Sequence, residues 1–163
     1  AKIKEKITDN DKFNENGIDS CQFYAITNKG ESYKPIVQIA SGGEISRIML
    51  SFNLVAQKKS LSNTLIFDEV DTGISGSTAS NIGVLLKELS KSVQLIIVTH
   101  LPQIASKSDS HIAVYKIGKG DRVVSLAKIL NPNQHKLEVA RMLSGRNITD
   151  YSIGQAKDMI VNG

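Results

Sequence analysis

The chain has 163 residues, of which 40% are hydrophobic and 22% are charged, and its formal net charge is +4. This composition is typical of one globular domain with its own core and excludes an intrinsically disordered chain. No apolar run approaches the roughly 20 residues that cross a bilayer, and no apolar segment of a secretory signal follows the charged start. The single cysteine, Cys21, excludes an internal disulfide, so we expect a cytoplasmic protein without a membrane partner.

The start of the chain is polar and rich in lysine. Residues 1–12 predict the frayed end of a longer helix, and residues 22–27 have the composition of a strand. The alternating lysines of residues 2–6 and the pair Lys58-Lys59 are the only local basic clusters. A mildly basic net charge permits contact with nucleic acid but does not demonstrate it. We therefore expect these lysines to lie on solvated faces.

A helix is predicted for residues 44–58, directly after Ser41-Gly42-Gly43. Its apolar side chains recur at the spacing that places them on one face of a helix. They are Ile45, Ile48, Met49, Phe52 and Val55. We therefore expect this helix to bury one face against a core.

Two short apolar runs predict neighbouring strands of a parallel sheet. The runs are Leu65–Phe67 and Leu95–Val98, and a helical pattern over residues 78–90 lies between them. Uniformly apolar strands joined by a helix are typical of an α/β fold whose parallel sheet is covered on both faces. The runs end in Asp68-Glu69 and Thr99-His100, at the carboxyl edge where such sheets bind their ligands.

The C-terminal part is predicted to combine helices with one β-hairpin. The predicted elements are a short helix from Pro102, strands over residues 111–117 and 122–129 joined by a turn at 118–121, and helices over residues 132–143 and 152–161. Pro132 opens the first of the last two helices and Gly145 ends it, which is the usual placement of these residues. Because no repeat or low-complexity linker interrupts the chain, we expect residues 1–163 to form one domain.

Asp68-Glu69 is the first candidate site. A carboxylate at the end of a strand can hold Mg²⁺ directly or through water, and a second one can deprotonate a water for attack on phosphorus. A surface turn would explain the same two residues equally well.

The segment Ser41-Gly42-Gly43-Glu44 is the second candidate. Backbone N–H groups at a glycine-rich helix start suit a phosphate. A capping box with Ser41 and Glu44 explains those two side chains, although it does not explain the two glycines between them.

His100 is the third candidate. An imidazole at this edge can donate a hydrogen bond to a phosphate oxygen. A lone histidine is more often structural, but its place on the strand next to Asp68-Glu69 favours a functional role.

The order and spacing of these three elements are more specific than any one of them. Together they resemble the second half of an ABC ATPase head, in which they are the signature motif, Walker B and the switch histidine. Residues 39–50, 64–76 and 98–105 resemble the SMC-like branch that acts in DNA repair, and residues 139–145 resemble its C-terminal helix. The resemblance covers about residues 22–160. Residues 1–20 resemble only the end of a returning coiled-coil arm, and only by position.

The resemblance implies a role for each matching residue within one head. Asp68 would hold the water shell of Mg²⁺, Glu69 would act as the general base on the attacking water, and His100 would contact the γ-phosphate of ATP. Gln103 would support them. The role of Asp71 stays open, because Ser75 follows Ile74 where transporters commonly carry an aspartate after a leucine.

The resemblance also implies action between two heads. Ser41, Gly42, Gly43 and Glu44 would bind the γ-phosphate of ATP held by a second head, with Arg47 in support. The partners would therefore be a second copy of the head, which makes a homodimer, and DNA. The expected location is the nucleoid.

No P-loop is present in the sequence. The only Gly-Lys pair, Gly118-Lys119, is followed by Gly120 and has Ala113 where the first glycine of the motif belongs. The fold class expected by resemblance is thus the C-terminal half of a P-loop NTPase without its P-loop strand. We expect that strand between the strands at 95–99 and 111–117. Its absence leaves a gap or an exposed edge, which association with an N-terminal P-loop half or a rearrangement would close.

Three hypotheses follow. The leading one is an ATPase head for DNA double-strand-break repair, of which this chain alone is inactive. The second is a scaffold module on the ABC fold that dimerises or contacts DNA without hydrolysis, although a scaffold does not need the pair Asp68-Glu69. The third is another SMC-like or transporter ATPase, and the loop from Asp71 to Gly76 argues against a transporter.

Overall fold

The computed structural model describes residues 2–15, 17–26, 30, 32–39, 42–56, 63–119 and 122–161. The strands in these ranges are β1 Lys2–Asn14, β2 Gly17–Ile26, β3 Lys34–Pro35, β4 Thr64–Phe67, β5 Gln94–Ile97, β6 Ile112–Lys119 and β7 Arg122–Ile129. The helices are α1 Ile36–Ile39, α2 Gly42–Ala56, α3 Gly76–Leu89, α4 Pro102–Ala105, α5 Pro132–Ser144 and α6 Asp150–Val161. No helix in these ranges is long and apolar enough to cross a membrane.

The N-terminal sheet corrects one prediction. Strands β1, β2 and β3 pair antiparallel in that order, so residues 2–14 form a strand and the helix expected over 1–12 is wrong. The physical reason is the two-residue period of residues 2–7, which places the lysines at 2, 4 and 6 on one face of a strand and Ile3, Glu5 and Ile7 on the other. The assignment of residues 1–20 to the end of a coiled-coil arm stays a prediction.

The central unit is the predicted strand, helix, strand. Strands β4 and β5 pair in parallel, and α3 connects them. Alternate side chains of both strands pack on the main core cluster, and its other members come from α2, α3, α4, the loop after β4 and the turn before β5. The buried members of that cluster are Leu50, Phe67, Val70, Leu86, Leu89 and Ile104.

The other face of this parallel pair is bare within the described ranges. Ile66 is 70% exposed and Ile96 is 48% exposed, although the uniformly apolar strands predict cover on both faces. Strand β5 does not pair with β6 in the described part of the chain, since β6 and β7 form a separate antiparallel sheet. Among the described residues β5 therefore pairs with β4 alone, and the gap or exposed edge expected beside it stays a prediction.

Helix α5 begins and ends close to its predicted bounds, whereas α6 begins at Asp150, two residues before the predicted start. The side chain of Asn131 accepts a hydrogen bond from the Gln134 N–H (2.9 Å), and the Gln134 side chain accepts one from the Asn131 N–H (3.2 Å), which caps α5. Gly145 follows α5 with φ 74°, a conformation that glycine adopts at little cost. Helices α5 and α6 share a second small core of Val139, Ala140 and Ala156.

Candidate functional site

The candidate site lies at the carboxyl edge of β4 and β5. Phe67 is level with Ile97, and the Val98 N–H donates to the Phe67 carbonyl at 3.0 Å. Both strands stop there, so Asp68-Glu69 and Thr99-His100 leave the sheet at the same edge. The parallel register thus brings together the two polar dipeptides that the sequence singled out.

Asp71 joins the two ends. Its side chain is only 4% exposed, and its Oδ2 accepts hydrogen bonds from Thr99 Oγ1 (2.5 Å) and the His100 N–H (2.8 Å). The same oxygen lies 3.0 Å from His100 Nδ1. The residue whose role the sequence left open is therefore the buried link between the loop after β4 and the residues that follow β5.

These donors stabilise the ionised form of the Asp71 carboxyl group. Burial alone would raise the pKa of the carboxyl group, but the hydrogen bonds from Thr99 and His100, together with the charge of a protonated His100, outweigh it. The resulting pKa of Asp71 lies below its usual value. Asp71 is consequently an anion at neutral pH and fixes the His100 ring from one side.

His100 is oriented by that contact and still open to solvent. Its side chain is 73% exposed. With Nδ1 facing the carboxylate, a proton on Nδ1 is favoured, and Nε2 is the ring nitrogen left to meet another group. A buried carboxylate that positions an exposed imidazole in this way is a common arrangement for a histidine that contacts a ligand.

The loop that carries Asp68 and Glu69 is anchored by α2. Ser46 Oγ donates to the Asp68 carbonyl at 2.8 Å. Arg47 Nη1 donates to the carbonyls of Val70 (3.2 Å) and Thr72 (2.8 Å). Helix α2, which starts at the predicted signature motif, therefore holds the loop after β4 of its own chain.

The two glycines at the start of α2 pack on that loop. A Cβ atom on Gly43 would meet the carbonyl oxygens of Glu69 and Thr72 at 2.9 Å each, and a Cβ atom on Gly42 would collide with the Glu69 carboxylate. A capping box formed by Ser41 and Glu44 does not explain the two glycines, whereas this close approach of the loop to the backbone of α2 does. Ser41 lies outside the described residues. Glu44 lies in the first turn of α2, partly buried.

Glu69 has an unusual backbone. Its φ is 59°, and it is the one non-glycine residue with a positive φ in the described ranges. Its carbonyl accepts the Thr72 N–H at 3.1 Å in the turn after β4. Such conformations cost about 1–3 kcal/mol and cluster at functional sites. The fold therefore holds the candidate base in a conformation that its own preference disfavours.

Two other predicted residues have weaker connections to this edge. Asp68 is exposed, with its carbonyl held by Ser46. Gln103 lies on α4, and its side-chain oxygen is buried without a hydrogen-bond partner among the described residues. No group of three or more histidine, cysteine, aspartate or glutamate side chains able to hold a metal occurs in the described ranges.

Sequence reasoning missed a second titratable pair. The Nδ1 atoms of His111 and His135 are 2.8 Å apart, and the two rings meet edge to face. Burial lowers the pKa of both, and for His111 the neighbouring His135 lowers it further. The residues are 24 positions apart in the chain, and the packing of α5 near the start of β6 brings them together. A local sequence pattern therefore cannot predict this pair.

No family model matches the chain. Curated relatives do, and each of those given below is called DNA repair protein RecN. The chain is 38% identical to the one from Halalkalibacterium halodurans over 160 residues, which are 98% of this chain and 28% of the relative. Identity is 42% to the one from Rickettsia bellii and 39% to the one from Vibrio cholerae, over 88% and 89% of this chain and 26% of each relative. The chain thus spans about a quarter of the length of these relatives.

Solved structures of SMC heads share the fold. The Smc head domain with a coiled coil and joint from Pyrococcus yayanosii matches 87% of this chain and 26% of its own, with a TM-score of 0.60 and 20% identity. An SMC ATPase studied for ATP-driven dimerisation and DNA-stimulated activation matches 78% of this chain and 76% of its own, with a TM-score of 0.51 and 23% identity. The predicted fold class, the C-terminal half of an ABC-type head, is confirmed.

Proposed function

We propose that this chain, which is homologous to the C-terminal part of DNA repair protein RecN, is half of an SMC-like ATPase head that acts in the repair of DNA double-strand breaks. The observation that carries the proposal is the buried Asp71, which ties the Walker B loop to an exposed, oriented His100 at one sheet edge. A scaffold needs neither a fixed histidine nor a strained glutamate at that edge.

The residues of this edge have complementary tasks in ATP hydrolysis. Glu69 accepts a proton from water as the water oxygen attacks the γ-phosphorus, and the bond to the β–γ bridging oxygen breaks, which leaves ADP and inorganic phosphate. His100, held by Asp71, donates from Nε2 to a γ-phosphate oxygen when protonated. Asp68 would hold Mg²⁺ through its water shell, and Mg²⁺ when bound would offset charge on the phosphate oxygens.

The missing P-loop assigns a partner to the bare sheet face. The phosphate cradle must come from the N-terminal half of the same protein, since the sequence contains no P-loop. The exposed Ile66 and Ile96 and the unpaired side of β5 are where that half would add its strand and cover. This chain alone is expected to bind ATP weakly and to hydrolyse none.

The signature glycines are proposed to act on a second head. Gly42 and Gly43, with Ser41 and Glu44 beside them, would offer backbone N–H groups and a helix N-terminus to the γ-phosphate of the opposite nucleotide. The Glu69 carboxylate lies against Gly42 within the chain, so engagement of that phosphate requires this carboxylate to move towards its own nucleotide. The related SMC ATPase of known structure dimerises with ATP, which supports a homodimer of heads here.

The test uses the intact protein, meaning this chain with the remainder that its curated relatives have. Glu69→Gln should keep ATP binding, reduce turnover by about 100-fold or more and trap the paired heads. Ser41→Arg should block pairing, measured by sedimentation. Glu88→Gln, the same change at an exposed helical position, is the matched control and should leave turnover unaltered.

Three outcomes would oppose the proposal. Undiminished turnover in Glu69→Gln removes the general base. Absence of ATPase activity in the intact protein, with pairing and DNA binding retained, would favour the scaffold. Micromolar ATP binding by the isolated chain in calorimetry would contradict the division of labour between the two halves.

A further inference from the structure

The N-terminal sheet has two chemically different faces. Residues directly opposite each other in an antiparallel pair point to the same side of the sheet. Lys4 is opposite Tyr24 and Lys6 is opposite Gln22, whereas Glu5 is opposite Phe23. The register therefore places these lysines on one face and the glutamate on the other.

The glutamate face is directed at the body of the domain. Ala25, opposite Ile3 on that face, is completely buried. The Phe23 ring lies 5.2 Å from the ring of Phe52 on α2. The face with Lys4 and Lys6 consequently points away from α2, and both lysines are exposed.

Lys4 is held by aromatic rings rather than by an acid. Its Nζ lies 4.2 Å from the centroid of the Tyr33 ring and 5.8 Å from that of Tyr24. The Tyr24 hydroxyl donates to Gln22 Oε1 at 3.0 Å. A cation–π contact of this kind orients an ammonium group while leaving its charge uncompensated.

Two lysines elsewhere in the domain are paired with acids. Lys87 pairs with Asp109 and Lys91 pairs with Glu88. Within the described ranges neither Lys4 nor Lys6 forms a salt bridge, and the register pairs of their face from Lys2↔Ile26 to Thr8↔Ser20 contain no acid. The face thus carries positive charge that no described acid neutralises.

We propose that this lysine face, formed by Lys4, Lys6, Gln22, Tyr24 and Tyr33, binds the phosphate backbone of nucleic acid. The proposal rests on the proposed DNA-repair function and locates a DNA contact on the chain. Alternate residues of a strand are about 6.8 Å apart, and one DNA strand carries a charge every ~3.4 Å of its axis. The two lysines can therefore reach different phosphates, in a contact that does not depend on base sequence.

Charge and shape favour nucleic acid over a membrane surface. Attachment to anionic lipid uses clusters of about four to eight basic residues or an apolar anchor. The lysine face has two described, exposed lysines, and its tyrosines are partly buried beside Lys4. An extended sheet face with few charges adds phosphate contacts to a larger DNA footprint, but it does not suffice to hold a bilayer.

The experiment measures the salt dependence of duplex DNA binding by the intact protein, using fluorescence anisotropy. Each phosphate contact contributes about 0.9 to the slope of log affinity against log salt, so Lys4→Gln with Lys6→Gln should reduce the slope by about 1.8. The ratio of the DNA affinity of the wild type to that of the variant should accordingly fall about twelvefold when the salt concentration is raised from roughly 50 to 200 mM. Lys4→Arg with Lys6→Arg should retain the slope.

The matched control is Lys116→Gln with Lys157→Gln, which removes the same charge from exposed positions on β6 and α6. An unchanged slope in the Lys4/Lys6 variant overturns the proposal, as does an equal reduction in the control. Binding to anionic vesicles that depends on Lys4 and Lys6, with an unchanged DNA slope, overturns it in favour of a membrane. ATPase activity without DNA is measured in parallel and should stay at the wild-type rate. If the wild type has no ATPase activity while the salt slope of the Lys4/Lys6 variant is reduced as expected, the proposed function is refuted and the proposal of a DNA-binding face is retained.

Discussion

Replacement of Asp71 tests whether this buried carboxylate holds the candidate site together. Its Oδ2 accepts from the Thr99 hydroxyl and from the His100 N–H, at 2.5 and 2.8 Å. Asp71→Ala removes the acceptor and leaves both part-buried donors without it. Asp71→Asn keeps an oxygen in the same position and removes only the charge.

The expected losses follow from these two bonds. A buried donor left unpaired costs about 1–3 kcal/mol, so two donors give a loss of about 4 kcal/mol for Asp71→Ala. The charge-assisted part of each bond is about 1 kcal/mol, which gives about 2 kcal/mol for Asp71→Asn. For a domain of this size, 4 kcal/mol corresponds to a fall of about 8–16 °C in melting temperature.

Urea denaturation of the chain, followed by circular dichroism, measures these losses. Asp109→Ala is the matched control, because Asp109 forms an ion pair with Lys87 while its side chain is 79% exposed, and such pairs contribute about 0.2–1 kcal/mol. A loss for Asp71→Ala no larger than that of the control would refute the reasoning. In the intact protein, Asp71→Asn should also lower turnover, since His100 loses its orienting partner.

The pH dependence gives an independent check on the same residue. Because the pKa of Asp71 is lowered in the folded state, its stabilisation is complete above the ordinary value of 3.8 and is lost as the pH falls through the lowered pKa. The difference in stability between wild type and Asp71→Asn should therefore narrow as the pH falls from the ordinary value of 3.8 through the lowered pKa. A difference that stays constant over that range would mean that the charge of Asp71 is not what the two donors recognise.

Two further predictions concern other contacts. Gly43→Ala should destabilise the chain by about 1–3 kcal/mol, because its Cβ would press on two backbone carbonyls that cannot yield, whereas Gly154→Ala on α6, with open space around it, should stabilise by about 0.5–1 kcal/mol. Urea midpoints measure both, and losses of equal size would contradict the packing argument. Lowering the pH below about 6.5 should destabilise the chain, since burial lowers the pKa of His111 and His135 and the unfolded state then binds more protons. His111→Leu should lose less stability between pH 7.5 and pH 5.5 than wild type, and an identical loss would sink this explanation.

The sequence predicts the parts of the site that depend on local pattern. Two apolar runs joined by a helix require a parallel pair, and a parallel pair puts Asp68-Glu69 and His100 at one edge whatever the details of packing. The role of Asp71 is not predictable in this way. It depends on a turn that folds back between two strand ends and buries the Asp71 carboxylate beside Thr99. Asp71 and Thr99 are 28 positions apart in the chain.

The lysine-rich start shows a different limit. Composition favours a frayed helix end for residues 1–12, while the two-residue period of the lysines at 2, 4 and 6 in the same segment favours a strand. Period outweighs composition here, because the register with β2 buries Ala25 on one face and leaves Lys4 and Lys6 exposed on the other. Their shared face with Tyr24 and Tyr33 follows from cross-strand pairing and from β3, neither of which a single-strand pattern contains.

The loop after β4 connects motifs that the proposed function assigns to different nucleotides. Arg47 of α2 holds the loop at Val70 and Thr72, and Asp71 between them holds His100. The start of α2 would meet the nucleotide of the opposite head, whereas His100 would meet the nucleotide of its own. Since the interior between them is close-packed and does not deform continuously, a shift of α2 on head engagement would displace the loop and with it the histidine. The hydrogen bonds of residues 68–72, the loop after β4, thus supply a physical route by which head pairing and catalysis would depend on each other.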